Sequence, residues 1–185
     1  MHQNFRIHLR EQTRLDHADM DQIFSNLDIA TRSDFIAFER IHLACFEAMT
    51  GVETLNKMTN RLLAEIVSGL RADLAVMQQK QPKIEVNPFG QIDPLAVDYV
   101  LGGSRMGTKV LRQRWSQSTD QNVKDANVYF NLPADPTFWR DVCDALSKIE
   151  MGSVRADKII SDTRQIFELF KSTYHHSVMI PAKAS

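Results

Sequence analysis

Apolar residues return every third or fourth position along almost the whole chain, and that rhythm restricts the fold more than any other feature of the sequence. It is clearest near the end, where Ile159, Ile160, Thr163, Ile166, Phe167, Phe170 and Tyr174 fall on one face of a helix from Val154 to about Tyr174. A first helix is predicted from about Phe5 to Ser25, with Leu9, Met20 and Phe24 inward. A second follows a Thr31/Ser33 cap, carries Phe35, Phe38, Ile41, Cys45 and Met49, and stops at Gly51. A third runs from Glu53 to about Gln79, with Gly69 as a bend point. The stretch from Gln81 to Pro94 holds three prolines and reads as a loop. Pro94 then opens a fourth helix reaching about Gln117, and a polar Asn- and Asp-rich connection leads to a fifth that starts at Asp135-Pro136. No segment alternates as a strand would. The expectation is an all-α, compact, single-domain bundle of about six helices over residues 1–176, with a frayed tail at 177–185.

At 185 residues the chain is long enough for one substantial core. A formal net charge of -1 supplies no field that would draw nucleic acid or an anionic membrane. Cys45 and Cys143 match neither a zinc spacing nor a redox pair and read as two buried thiols in a reducing compartment. The amino terminus lacks the apolar core of a signal peptide, and no apolar run is long enough for a membrane span. The expected location is the cytoplasm.

The fourth helix contains an anomaly. Val97, Val100, Leu101, Val110 and Leu111 favour a helix, yet Gly102, Gly103 and Gly107 sit in its middle. Glycine costs about 1 kcal/mol relative to alanine at each such position, so something must offset roughly 3 kcal/mol. Two explanations stand side by side. Gly103 and Gly107, four apart, could let another helix approach closely. Alternatively, a flat ligand lies against bare backbone, with the paired glycines letting the helix bend over it. A phosphate cradle is disfavoured, because no strand precedes the glycines and no Gly-rich loop opens a helix here.

His17 lies on the first helix within LREQTRLDHADMD. Ala18 and Met20 leave apolar room beside it, and Asp21 falls one turn on, where it can orient the ring directly or through water. Arg10 is two turns earlier, about 10 Å along the axis, a suitable reach for an anionic group on a ligand held at His17. A lone helical histidine is more often a surface or packed residue, so these neighbours are what single it out.

LREQTRLDHADMD resembles the proximal helix of the bacterial heme oxygenases, and YVLGGSRMGTKVL resembles their distal helix. Helix order, the spacing of the two segments and the aromatic last helix extend the likeness over nearly the whole chain. The resemblance implies a heme oxygenase-like fold that binds haem between these helices and opens it to biliverdin. Haem would be both substrate and cofactor, with O2 and electrons from an external reductant. His17 would be the axial iron ligand; Gly103 and Gly107 would press on the opposite face, with Gly102 and Ser104 shaping a bend and its water. Arg10 would pair with a propionate, Tyr99 would line the pocket, and Phe167 would pack on haem. Two residues depart from the family pattern: Asp21 stands for a longer glutamate, and Thr108 follows Gly107 where a further glycine is common.

The residues suit that chemistry. An imidazole with a weak partner gives little electronic push to the iron. A glycine face offers close backbone without an acidic or basic side chain, and Ser104 could hold water for proton supply. The chain has no flavin or iron–sulfur motif, so a reductase or ferredoxin would be the electron donor, and a bilin-receiving protein is a further partner. Arg105, Lys109, Arg112 and Arg114 could dock an acidic donor or form an ordinary solvated face. The rival readings are a non-catalytic haem carrier or sensor, and a non-haem di-iron oxidase built on Glu39-x-x-His42, which would need a second such pair that the sequence lacks. His8 is a weak alternative ligand.

Overall fold

The computed structural model describes residues 4–79 and 89–179, and the described residues form helices joined by turns, with no strand among them. In chain order these are α1 (Phe5–Gln12), α2 (Arg14–Ser25), α3 (Arg32–Thr50), α4 (Lys57–Val76), α5 (Pro94–Trp115), α6 (Gln121–Asp125), α7 (Val128–Asn131), α8 (Pro136–Ser147) and α9 (Val154–Met179). Most of the expected loop before Pro94 lies outside the described residues.

α3 is the central element, packed between α4 and α9, while α5 lies against α8 and α9. Phe35, Phe38, Ile41 and Phe46 of α3 are fully buried, as are Leu63, Ile66 and Leu70 of α4 and Ile159 and Ile166 of α9. These belong to one continuous core. Each such side chain contributes about 1.5–3 kcal/mol through burial, so packing rather than helix propensity holds the bundle together. Polar residues mark the starts. Asn4, Asn56, Asp93, Asp120 and Asp135 each accept a hydrogen bond from a backbone N–H in the first turn of the helix they precede.

The helix count differs from the expected six at two places. The first helix divides at Thr13, whose backbone leaves helical geometry (φ -105°, ψ 9°) while its hydroxyl donates to the Leu9 carbonyl at 2.8 Å. The polar connection folds α6 and α7. α6 is capped locally by Asp120, but α7 is capped from a distance: Asp73 of α4 accepts from the N–H groups of Val128 and Tyr129, both at 2.8 Å. A cap borrowed from 55 residues away leaves no local trace in sequence. Gly69 is no bend point, since α4 runs through it unbroken. It provides clearance for α7, because an added Cβ would lie 3.4 Å from the Tyr129 nitrogen. α9 continues to Met179, past its expected end and through the first residues of the tail expected to fray. No helix among the described residues is long and apolar enough to cross a membrane.

Candidate functional site

α2 packs on α9 and α5 packs on α8 and α9, but α2 and α5 share no comparable packing with each other. They are tied at their two ends instead. At one end the Tyr99 phenol of α5 hydrogen-bonds to the side chain of Thr13, at the start of α2. At the other, the Arg114 guanidinium donates to the carbonyls of Ser25 and Leu27. The two helices therefore run in the same direction with a slot between them.

His17 is four residues beyond Thr13, and Gly103 is four residues beyond Tyr99. One helical turn in each case keeps the residue on the same face as its tie and moves it about 6 Å along. Each residue thus lies one turn past the Thr13–Tyr99 tie on its own helix. The backbone is continuous across the α1–α2 junction at this point, with the His17 N–H donating to the Thr13 carbonyl at 3.0 Å.

On the α2 side, His17 is exposed, and its Nδ1 lies 3.0 Å from Asp21 Oδ2. The contact is direct despite the short aspartate arm. With Nδ1 turned to the carboxylate, Nε2 is the ring nitrogen left to meet a ligand. The Phe167 ring meets the imidazole edge-on at 5.9 Å between centroids. Phe167 is itself buried, so it braces the histidine from α9. Asp16, the preceding residue, is held by Arg164 and Lys171 on α9, which fixes the other flank of α2.

On the α5 side the glycines divide by role. An added Cβ at Gly102 would stand 2.5 Å from Cε3 of Trp139, so this glycine permits α8 to lie close against α5. At Gly103 and Gly107 an added Cβ would meet nothing within 4 Å. The close-packing explanation thus belongs to Gly102, and the pair expected to serve it faces open space. Met106 and Val110 continue the same face, 61% and 64% exposed, and give the slot an apolar wall. Sequence reading passed over Met106, although the register Gly103, Met106, Gly107, Val110 was present in its spacing. α5 runs through the glycines without interruption. The Ser104 hydroxyl is turned back to the Leu101 carbonyl at 2.8 Å, and the Thr108 hydroxyl to the Ser104 carbonyl at 3.1 Å.

The tied end carries positive charge. Arg6 and Arg10 both act on the Tyr99 phenol, whose pKa is nonetheless raised above its ordinary value because burial outweighs them and Thr13. Tyr99 also lies against Trp139, with 6.0 Å between ring centroids. Two members of the expected basic cluster are engaged elsewhere: Arg105 is buried and donates to the Leu132 carbonyl at 2.9 Å, and Arg114 forms the far tie. Lys109 is exposed and Arg112 stands near it on the outer surface.

A recess of about 590 Å³ lies elsewhere, between α1, α2 and α9, lined by His8, Gln12, Asp16, Asp157, Arg164 and Glu168 among others. Its carboxylates and internal Arg164 contacts suit water better than a flat apolar ligand, and it includes neither His17 nor the glycines. Glu39 and His42 are both buried on α3. His42 is stacked on Phe38 at 3.8 Å, and its Nδ1 donates to the Phe38 carbonyl at 2.9 Å. Among the described residues no three His, Cys, Asp or Glu side chains converge as a metal-ion site. No protein-family model matches the sequence, and no curated protein matches it.

Proposed function

We propose that the chain is a heme oxygenase that binds haem in the slot between α2 and α5 and opens it to biliverdin, with release of CO and ferrous iron. What supports this reading is that His17 and Gly103 each lie one turn beyond the Thr13–Tyr99 tie, an imidazole on one helix and bare backbone on the other. Haem would need a donor side chain to hold its iron and room for the flat macrocycle beside it. The open space at the Gly103 and Gly107 Cβ positions and the Nε2 of His17 fit that need.

Haem, when bound, supplies the iron that activates dioxygen and the macrocycle that is opened. His17 would hold the iron through Nε2, with Asp21 fixing the ring orientation and Phe167 its tilt. Gly103 and Gly107 would let the α5 backbone press on the opposite face, while Met106 and Val110 exclude water from it. Arg10, with no ion pair among the described residues, would bind a propionate at the end closed by Tyr99. Ser104, whose hydroxyl already has an acceptor in Leu101, keeps an oxygen lone pair that can accept from water and so hold a proton donor near the glycines. Electrons would come from a reductase or ferredoxin docking by Lys109 and Arg112, and a bilin-receiving protein would take the product.

The test is anaerobic loading with hemin followed by reductant and air. One hemin per chain, then loss of the Soret band with growth of a broad red bilin absorption and biliverdin by chromatography, is the expected result. Haem that persists unchanged under those conditions would make the protein a carrier, and failure to bind hemin would remove the reading altogether.

A further inference from the structure

α2 carries His17 but has little apolar burial to hold it. Phe24, near its end, is the one buried residue of the helix, and its start is a break, because Thr13 leaves helical geometry. A helix that begins at a break and lacks an apolar anchor in its first turns takes its position from polar ties. One face of α9 supplies them. The Arg164 guanidinium reaches both sides of the break: Nη2 donates to the Gln12 carbonyl at 2.7 Å, and Nε lies 3.6 Å from Asp16 Oδ2. Gln12 closes α1, so its carbonyl has no partner within that helix. Asp16 stands in the first turn of α2 and directly precedes His17. Three residues along α9 from Arg164, Phe167 meets the His17 ring. One turn further, Lys171 lies 3.9 Å from the carboxylates of both Asp16 and Asp19.

We propose that Arg164 is the positioning residue for His17, clamping the end of α1 and the first turn of α2 in one arrangement. The guanidinium is a rigid plane with donors on separate nitrogens, so it can hold a carbonyl and a carboxylate at a fixed separation. That separation sets where α2 starts, and His17 follows within one turn. Lys171 shares the Asp16 carboxylate but makes its contacts within α2 and α9, so it holds α2 to α9 without spanning the break. Phe167 meets the ring edge-on and limits its tilt, which leaves the placement of the helix to Arg164. As an ion pair on a half-exposed surface, Arg164 with Asp16 alone would add little. Its weight comes from the second, backbone contact across the break. The role of the clamp in presenting an iron ligand rests on the oxygenase reading, whereas the clamp itself belongs to the haem-free chain.

Amide hydrogen exchange of the full chain without hemin tests the clamp. In Arg164→Met, which keeps most of the stem, the amides of Asp16, His17 and Ala18 should exchange about tenfold faster, while those around Ile166 keep wild-type rates. Arg164→Lys keeps the charge beside Asp16 but has one nitrogen for two acceptors, so it should restore only part of the protection. Lys171→Met removes a cation from the same carboxylate without touching the break and should leave these amides unchanged. With hemin bound and reduced, the iron–histidine stretch should shift and broaden in Arg164→Met and keep its wild-type position in Lys171→Met. Wild-type exchange at Asp16 to Ala18 in Arg164→Met, or an equal response in Lys171→Met, would overturn the proposal. A chain that shows the exchange pattern but binds no hemin would uphold the clamp and sink only the oxygenase reading.

Discussion

One carboxylate oxygen of Asp21 stands 3.0 Å from Nδ1 of His17, one turn along the same helix, with the two side chains 73% and 59% exposed. An exposed pair of this kind orients a ring without adding much stability. On the oxygenase reading, His17→Ala abolishes the tight ferric-haem spectrum in a hemin titration. Asp21→Ala keeps it and loosens hemin by about tenfold, the lower end of what losing such a supporting contact costs. A His17→Ala variant that titrates like wild type would remove the ligand assignment.

The adjacent glycines predict opposite responses to one added methyl group. Gly102→Ala forces Cβ against the Trp139 ring and should destabilise the protein by about 1–3 kcal/mol through overpacking. Gly103→Ala meets open space and gains helix propensity, so it should stabilise by up to about 1 kcal/mol. In a chain of this size, each kcal/mol is about 2–4 °C in thermal unfolding, so the two melting temperatures should move in opposite directions. Gly103→Val should leave stability near wild type and lower haem turnover, because the branch projects into the slot. Normal turnover by Gly103→Val would place the substrate elsewhere.

The long helices were legible because their periodicity and caps are local: Asp93-Pro94 and Asp135-Pro136 open α5 and α8 as the sequence indicates. What was not legible depends on partners distant in sequence. Thr13 divides the first helix where it also engages Tyr99, and α7 exists because Asp73 reaches its amino end. The same limit applied to the site. Three glycines in one helix announced an unusual segment, but only the position of Trp139 separates the packing glycine from the two open ones. Arg114 looked like one more surface cation until the last turn of α2 supplied its acceptors.

Arg114 should therefore act as a clasp. Its guanidinium caps carbonyls at the carboxyl end of α2, where a cation is also favoured by the helix dipole. Arg114→Met retains most of the stem packing and removes the charge-assisted hydrogen bonds, a loss of about 1–2 kcal/mol. Hydrogen exchange should accelerate for amides around Ser25 to Leu27, while those in the middle of α9 stay protected. Unchanged exchange in the last turn of α2 would show that the tie carries no load.

His42 sets the acid limb of stability. Burial among Phe24, Phe38, Phe46 and Phe170 lowers its pKa from 6.5 to about 4, against a smaller opposing effect from the Phe38 carbonyl. The unfolded chain takes up a proton as pH falls through 6.5, and the folded chain does so only near 4. This contribution to stability is fully present above pH 6.5 and is lost as pH falls toward 4, by about 3 kcal/mol over the window. Glu39 works with the opposite sign. Its raised pKa keeps it protonated when the unfolded chain ionises, so its contribution is full below the ordinary carboxyl value of 4.5 and declines as pH rises above it. Denaturant unfolding from pH 7 to 4 should therefore show a steeper acid loss in wild type than in His42→Phe, which keeps the aromatic cluster and removes the titrating nitrogen. The difference between the two should grow by about 3 kcal/mol across the window. Parallel curves would mean that His42 takes up its proton at the same pH in the folded and the unfolded chain.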